Sequence, residues 1–235
     1  MVLGGNNFVL RNIALKERIL LSWSGGKDSC MALHEIQKSN GYEIVLLTTV
    51  TEDYDRISMH GVRRTLLERQ AESLGLHLVK VYIPKKSTQE EYELRMKEVL
   101  TKHQNEGANS VAFGDIFLED LRRYREENLY RIGMRGIFPI WRKNTSELIR
   151  RFIDLGFKAV VTCVDPKTLD PSFAGRVIDD DFISQLPVHV DPCGENGEFH
   201  SFVFDGPIFE REVKFSLGEV VLRDSFYFCD LLPDE

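Results

Sequence analysis

The chain has 235 residues, 43% of them hydrophobic and 29% charged, with a formal net charge of −7 at pH 7. That usage excludes a disordered, collagenous or coiled-coil chain, and the length suffices for one large domain or two small ones with a sizeable core. The acidic balance argues against general nucleic-acid binding and leaves such a role only to a local basic face.

Four cysteines (Cys30, Cys163, Cys193 and Cys229) form no CxxC pair and have no zinc spacing, so reduced thiols in a cytoplasmic protein are expected. No stretch approaches the ~20 apolar residues of a membrane helix. Residues 1–17, with Gly-Gly-Asn-Asn at 4–7, read as a leader before the first element.

Taken in order, residues 18–23 are a short apolar run that suits a buried strand, and 30–37 are helix-like. The β-branched run 44–50 reads as a second buried strand. A helix over 62–74 stops at Gly75, a third strand over 76–83 closes at Pro84, and 87–103 is a charged amphipathic helix. A short fourth strand over 110–115 ends in Gly114-Asp115, and 118–131 is a basic helix. Strand and helix alternate, so the fold class is α/β, a Rossmann-like sandwich on a parallel sheet. In such sheets the ligand lies outside the strand C-termini. A helix over 144–155, a strand over 157–164, a Pro/Gly/Asp-rich section and an alternating tail then predict a smaller α+β lobe over 136–235, after the α/β lobe over 18–135.

The segment Ser24-Gly25-Gly26-Lys27-Asp28-Ser29 joins the first strand to its helix. Two glycines let backbone N–H groups approach an anion, and the helix N-terminus adds unpaired N–H groups and a positive dipole end. Ser24 and Ser29 offer hydroxyls, Lys27 a charge, and Asp28 a ligand for Mg²⁺. The alternative is a Gly-rich turn that binds nothing. The spacing is not that of a Walker A loop. The run resembles the pyrophosphate-binding loop of the ATP pyrophosphatases, the adenine nucleotide alpha hydrolase group. That resemblance implies cleavage of ATP between its α- and β-phosphates, adenylation of an acceptor oxygen and displacement of AMP by a nucleophile.

A second motif, Asp191-Pro-Cys-Gly-Glu195-Asn-Gly-Glu198-Phe-His200-Ser201, sets two carboxylates three residues apart between glycines. Such a loop can orient a metal or an amine, or accept a proton; a solvated acidic turn is the alternative. With the upstream loop, it is similar to the C-terminal motif of the diphthine–ammonia ligase family, matching at Gly194, Glu195, Gly197, Glu198, Asp205 and Pro207. Asn196 stands for a glycine, His200 for a third glutamate and Ser201 for threonine, a pattern similar to a short bacterial-type branch. The resemblance implies an AMP-forming ligase that uses ATP and Mg²⁺, adenylates an acceptor carboxylate and amidates it with ammonia. It implies catalytic roles for Lys27, Asp28, Glu195 and Glu198, and acceptor contacts from Glu195, Glu198, His200 and Ser201. Nucleotide contacts are implied at Ser24 to Ser29, Thr49, His60, Gly114 and Asp115.

The acceptor stays open between a protein side chain such as diphthine, a corrinoid precursor and a small carboxylate, as does a homodimer. His60 has a second reading as an unpartnered helix-entry residue, and Asp115 as a helix cap. The stretch 118–151 holds nine basic and five acidic residues; it reads as a solvated helix face or as a steering surface for an anionic substrate. A sulfurtransferase acting through Cys163 and Cys193, and a non-catalytic nucleotide binder, are the rival functions. The first demands an exposed thiol of lowered pKa.

Overall fold

The computed structural model describes residues 16–53, 55–57 and 61–234. The expected leader, apart from its last residues, and His60 lie outside that set.

Five parallel strands build the first sheet: β1 (Glu17–Ser22), β2 (Tyr42–Thr51), β4 (His77–Ile83), β5 (Ala108–Ala112) and β6 (Arg135–Ile137). Their spatial order is β4-β2-β1-β5-β6. A two-residue strand, β3 (Arg56–Ile57), pairs antiparallel with the far end of β2. Central β1 buries Ile19, Leu20 and Leu21 completely, as a strand covered on both faces must. Helices α1 (Lys27–Gln37) and α2 (Arg64–Ser73) connect the strands on one side of β1; α3 (Gln89–Asn105) and α4 (Glu119–Tyr130) connect them on the other.

Residue alternation divides the sheet's two faces. Leu21, Leu46 and Val50 join the core with Leu33, Leu66 and Leu67 of α1 and α2. Leu20, Val45 and Leu47 join a second cluster with Leu100 and Leu129 of α3 and α4. Strand order reverses between β1 and β5, so a crevice opens at their C-terminal ends. Both the loop after Ser22 and the Gly114-Asp115 corner border that crevice.

Local signals fix the helix ends. Thr88 accepts a hydrogen bond from the Glu91 N–H and caps α3. Asn144 does the same for α5 (Thr145–Asp154), and Asp179 for α6 (Asp180–Gln185). After α2 the chain turns at Gly75, whose φ of 63° suits glycine.

The remainder carries an antiparallel sheet in the order β8-β7-β10-β9, from β7 (Lys158–Val164), β8 (Phe199–Asp205), β9 (Phe215–Arg223) and β10 (Phe226–Pro233). Asp224 and Ser225, with φ of 46° and 73°, make the two-residue turn between β9 and β10. Strand β6 spans the division expected at residue 135, and one buried cluster runs from Ile19 to Leu231, so the two sheets share a core. Among the described residues, no helix is long and apolar enough to cross a membrane.

The tail is tied back to the first sheet by an ionic contact. Asp230 accepts from Arg56 Nη1 at 2.8 Å and from Arg63 Nη2 at 2.7 Å. Partial burial pushes its carboxyl up, but the hydrogen bonds from Arg63 and Arg56 outweigh that and hold it at about 2 against an ordinary 3.8. A depressed carboxyl stabilises the fold fully above its ordinary value and loses that contribution as pH falls towards 2. Asp230→Asn is therefore expected to cost about 1–2 kcal/mol at neutral pH. The gap to the wild type should close below pH 3.8 in urea unfolding run as a pH series.

Candidate functional site

Strand β1 delivers the chain into the loop Ser24–Gly26, and α1 begins at Lys27 with Gly26 at its cap position. The loop is held from several sides. Ser24 Oγ accepts the Gly26 N–H at 3.3 Å, and Ser29 Oγ donates to the Gly26 carbonyl at 2.9 Å. The Gly25 carbonyl accepts from Val203 N at 2.9 Å and from Gln70 Nε2 at 2.9 Å. Gln70 is fully buried; it also donates to the Val203 carbonyl and accepts from Trp23 Nε1 at 3.1 Å. Gly25 has φ of 76°, and a Cβ there would meet Gln70 Oε1 at 2.5 Å.

This arrangement docks β8 of the second sheet directly on the loop. Ser201 Oγ accepts the Lys27 N–H at 3.2 Å, and Val203 two residues on holds Gly25. The acidic motif just before β8 is thereby brought to the crevice. Lys27 is only 3% exposed; its ammonium lies 2.9 Å from Asp28 Oδ2 and 5.2 Å from the centre of the Phe199 ring. Burial works against this cation, but Asp28 outweighs it, with Glu195 contributing, so its pKa is raised and it stays charged. Asp28, with 29% of its side chain exposed, keeps a face towards the crevice. Its carboxyl is pushed up chiefly by burial, with Lys27 opposing and Asp191 adding to the rise.

Glu195 and Glu198 have different tasks. Glu195 Oε1 accepts from Ile116 N at 2.7 Å and from Phe117 N at 3.3 Å, bridging to the turn after β5. Burial pushes its carboxyl up to about 7, and Asp28 adds to this, while the two N–H donors and Lys27 restrain the rise. Glu198 is 4% exposed, and its two oxygens accept from Asp191 N, Asn196 N and Asn196 Nδ2, each at 3.0 Å. That carboxylate thus holds the 191–198 turn together. His200 is pushed down to about 4 by burial and by Lys27, which leaves the imidazole neutral at pH 7.

At the other wall, a Cβ on Gly114 would lie 2.8 Å from the Asp28 carbonyl carbon and 2.9 Å from Ser29 N. The close approach that requires glycine there is to the start of α1. Asp115 caps no helix; it pairs with Arg125 at 2.9 and 3.1 Å beneath the crevice. Thr49 lines a cavity of about 750 Å³ that runs from Ser22, Trp23 and Ser24 down between α3 and α4, past Leu47, Val111 and Phe113.

The basic stretch is largely neutralised. Arg122 pairs with Glu126, Arg123 with Asp120, Arg125 with Asp115, Arg135 with Glu17 and Arg142 with Glu119. Arg122 also covers the rings of Phe138 and Trp141. The four cysteines are free and buried. Burial pushes Cys163 up to about 12 and Cys193 well above its ordinary value. Neither meets the demand for an exposed, acidified thiol. Among the described residues, no group of three or more His, Cys, Asp or Glu side chains could hold a metal alone.

Sequence reading missed Gln70, which has no motif around it. Its only signal is a polar residue at a position of α2 that helical spacing puts beside buried Leu66 and Leu67. Gln70→Leu strands the Trp23 N–H and removes a donor from the Gly25 and Val203 carbonyls. It should lower stability by about 2–4 kcal/mol in urea unfolding and weaken ATP binding in calorimetry.

Comparison with known proteins bears on the whole of this arrangement. Residues 17–136 match the diphthamide synthase N-terminal domain and residues 144–231 the diphthamide synthase C-terminal domain. The diphthine–ammonia ligase of Homo sapiens is 27% identical over 242 aligned positions, covering 90% of this chain and 88% of its own. That of Danio rerio is 27% identical, covering 88% and 89%. That of Schizosaccharomyces pombe is 28% identical over 88% of this chain but only 38% of its own length. With both domains matched in order and the loop and acidic motif meeting at one crevice, the chain belongs to the diphthamide synthase family.

Proposed function

We propose that this protein is an ATP-dependent, AMP-forming amide ligase. The observation that carries the reading is the docking of the acidic motif on the Ser24–Ser29 loop, through Ser201 on Lys27 and Val203 on Gly25. It sets a polyphosphate loop and a near-neutral carboxyl in one groove. The names of the relatives, all diphthine–ammonia ligases, support the same reaction class.

In this reading the N–H groups and hydroxyls of Ser24 to Ser29 hold the β- and γ-phosphates, with the start of α1 behind them. Thr49 and the cavity beside it take the adenosine, while Gly114 and Asp115 fix the wall. The acceptor carboxylate attacks the α-phosphorus, the bond to the bridging oxygen breaks, and pyrophosphate leaves. Lys27 sits beneath the loop, and its field favours the charge that develops on the leaving group. Ammonia then attacks the acyl carbon and the bond to AMP breaks. The proton from nitrogen passes to Glu195, whose carboxyl titrates at about 7 and so ionises near neutral pH. Glu198 and Ser201 keep the acceptor side in shape, and neutral His200 faces it.

Asp28 fits Mg²⁺. Its partly open carboxylate carries the repulsion of Asp191, and this ion binds through one or two carboxylates plus substrate phosphates. There the ion would neutralise phosphate charge. The acceptor is a carboxylate on a protein or a small molecule, and the setting is the cytoplasm.

Incubation with ATP, Mg²⁺, ammonium and a panel of carboxylates should release AMP and pyrophosphate in equal amounts; ADP as product overturns the scheme. Asp28→Asn and Lys27→Met should each lower kcat/KM by about 10² or more, with the fold retained in circular dichroism. At fixed free ammonia the wild-type rate should rise with pH through about 7. Glu195→Gln should be slower and flat across that range, and an unchanged pH profile would remove Glu195 from the proton transfer.

A further inference from the structure

The antiparallel sheet treats its two edges differently. The β8 edge is sealed: Val203 N is bonded to the Gly25 carbonyl, so the nucleotide loop covers it. At the other end β9 pairs only with β10 among the described residues, and its outer backbone row faces outward. Edge strands of soluble proteins are blunted by charge, proline or covering structure, because an open row recruits another strand. Strand β9 has no proline and no covering structure among the described residues, and much of its exposed surface is apolar. Leu217, Val220 and Leu222 are 56%, 46% and 59% exposed. The strand's two charges, Glu219 and Arg223, are exposed and make no ion pair among the described residues.

Those two charges select an occupant. Antiparallel pairing of β9 with itself about a two-fold axis at Val221 places Glu219 opposite Arg223 of the second copy, and Val220 opposite its Leu222. Both symmetry-related ion pairs form at once, which is the self-complementarity an isologous contact needs. Registers centred on Glu219 set like charges together, and one centred between Glu219 and Val220 leaves both charges opposite uncharged residues. We propose that β9 is the dimer interface of this protein, joining the antiparallel sheets of two copies across an axis at Val221.

Sedimentation equilibrium of the full chain from ~1 to ~100 µM should show a dimer. Glu219→Arg or Arg223→Glu alone sets like charges face to face and should raise the dissociation constant roughly tenfold, whereas the two together should restore it to within about threefold. Val221→Cys should cross-link to its own copy under mild oxidation, since the four native cysteines are buried. If a charge variant fails to fold, that cross-link decides by itself. A monomer throughout the range overturns the proposal. A dimer that ignores the charge variants and does not cross-link also overturns it, because its contact lies on another face.

Discussion

The Gly25 carbonyl is the point on which the two halves turn. A carbonyl at the tip of a glycine loop ordinarily faces water. Here it accepts from the Val203 backbone and from Gln70, a fully buried amide that also satisfies Val203 and Trp23. Taking water from these groups costs 1–3 kcal/mol for each one left unpaired, so the cluster is stable only when complete. That makes loop conformation, α2 and the second sheet conditional on one another. A glycine loop between strand and helix in a Rossmann-like sheet is otherwise positioned by its own strand and helix. In this protein the opposite lobe clamps it as well, and the acidic motif arrives at the crevice as a consequence.

Charge within the crevice follows from that docking. Burying Lys27 among protein groups is tolerable because Asp28 lies 2.9 Å away and Phe199 presents its ring face. The same cation restrains Glu195 and adds to the burial that keeps His200 neutral. Two glutamates three residues apart thus behave differently. Glu198 spends its oxygens on three donors of its own turn, while Glu195 reaches across to the turn after β5 and titrates near neutrality.

The sequence was informative where the physics is local. Apolar runs, Gly75, Thr88 and Asn144 mark strands and helix ends through short-range forces, and the glycine loop declares itself by its position between strand and helix. Contacts made by distant residues left no such trace. Strand β6 is three residues long and forms only because β5 offers a parallel partner. Gly114 gives no hint in sequence that the start of α1 lies against it. The Glu198 carboxylate looks free in a motif and is consumed by the turn that motif folds into. The cations of 118–151 look like a steering surface in sequence, yet their partners at Glu17 and Asp115 lie in other elements.

Closure on the far side of the crevice rests on the tail. Strand β10 brings Asp230 to Arg56 and Arg63, and Phe228 packs so tightly on Gly61 that a Cβ there would sit 2.6 Å from the ring. Both contacts tie β10 to β3 and to the entry of α2, beside the end of β2. The hairpin that carries the exposed edge of β9 is thus the same one that braces β3 and the start of α2.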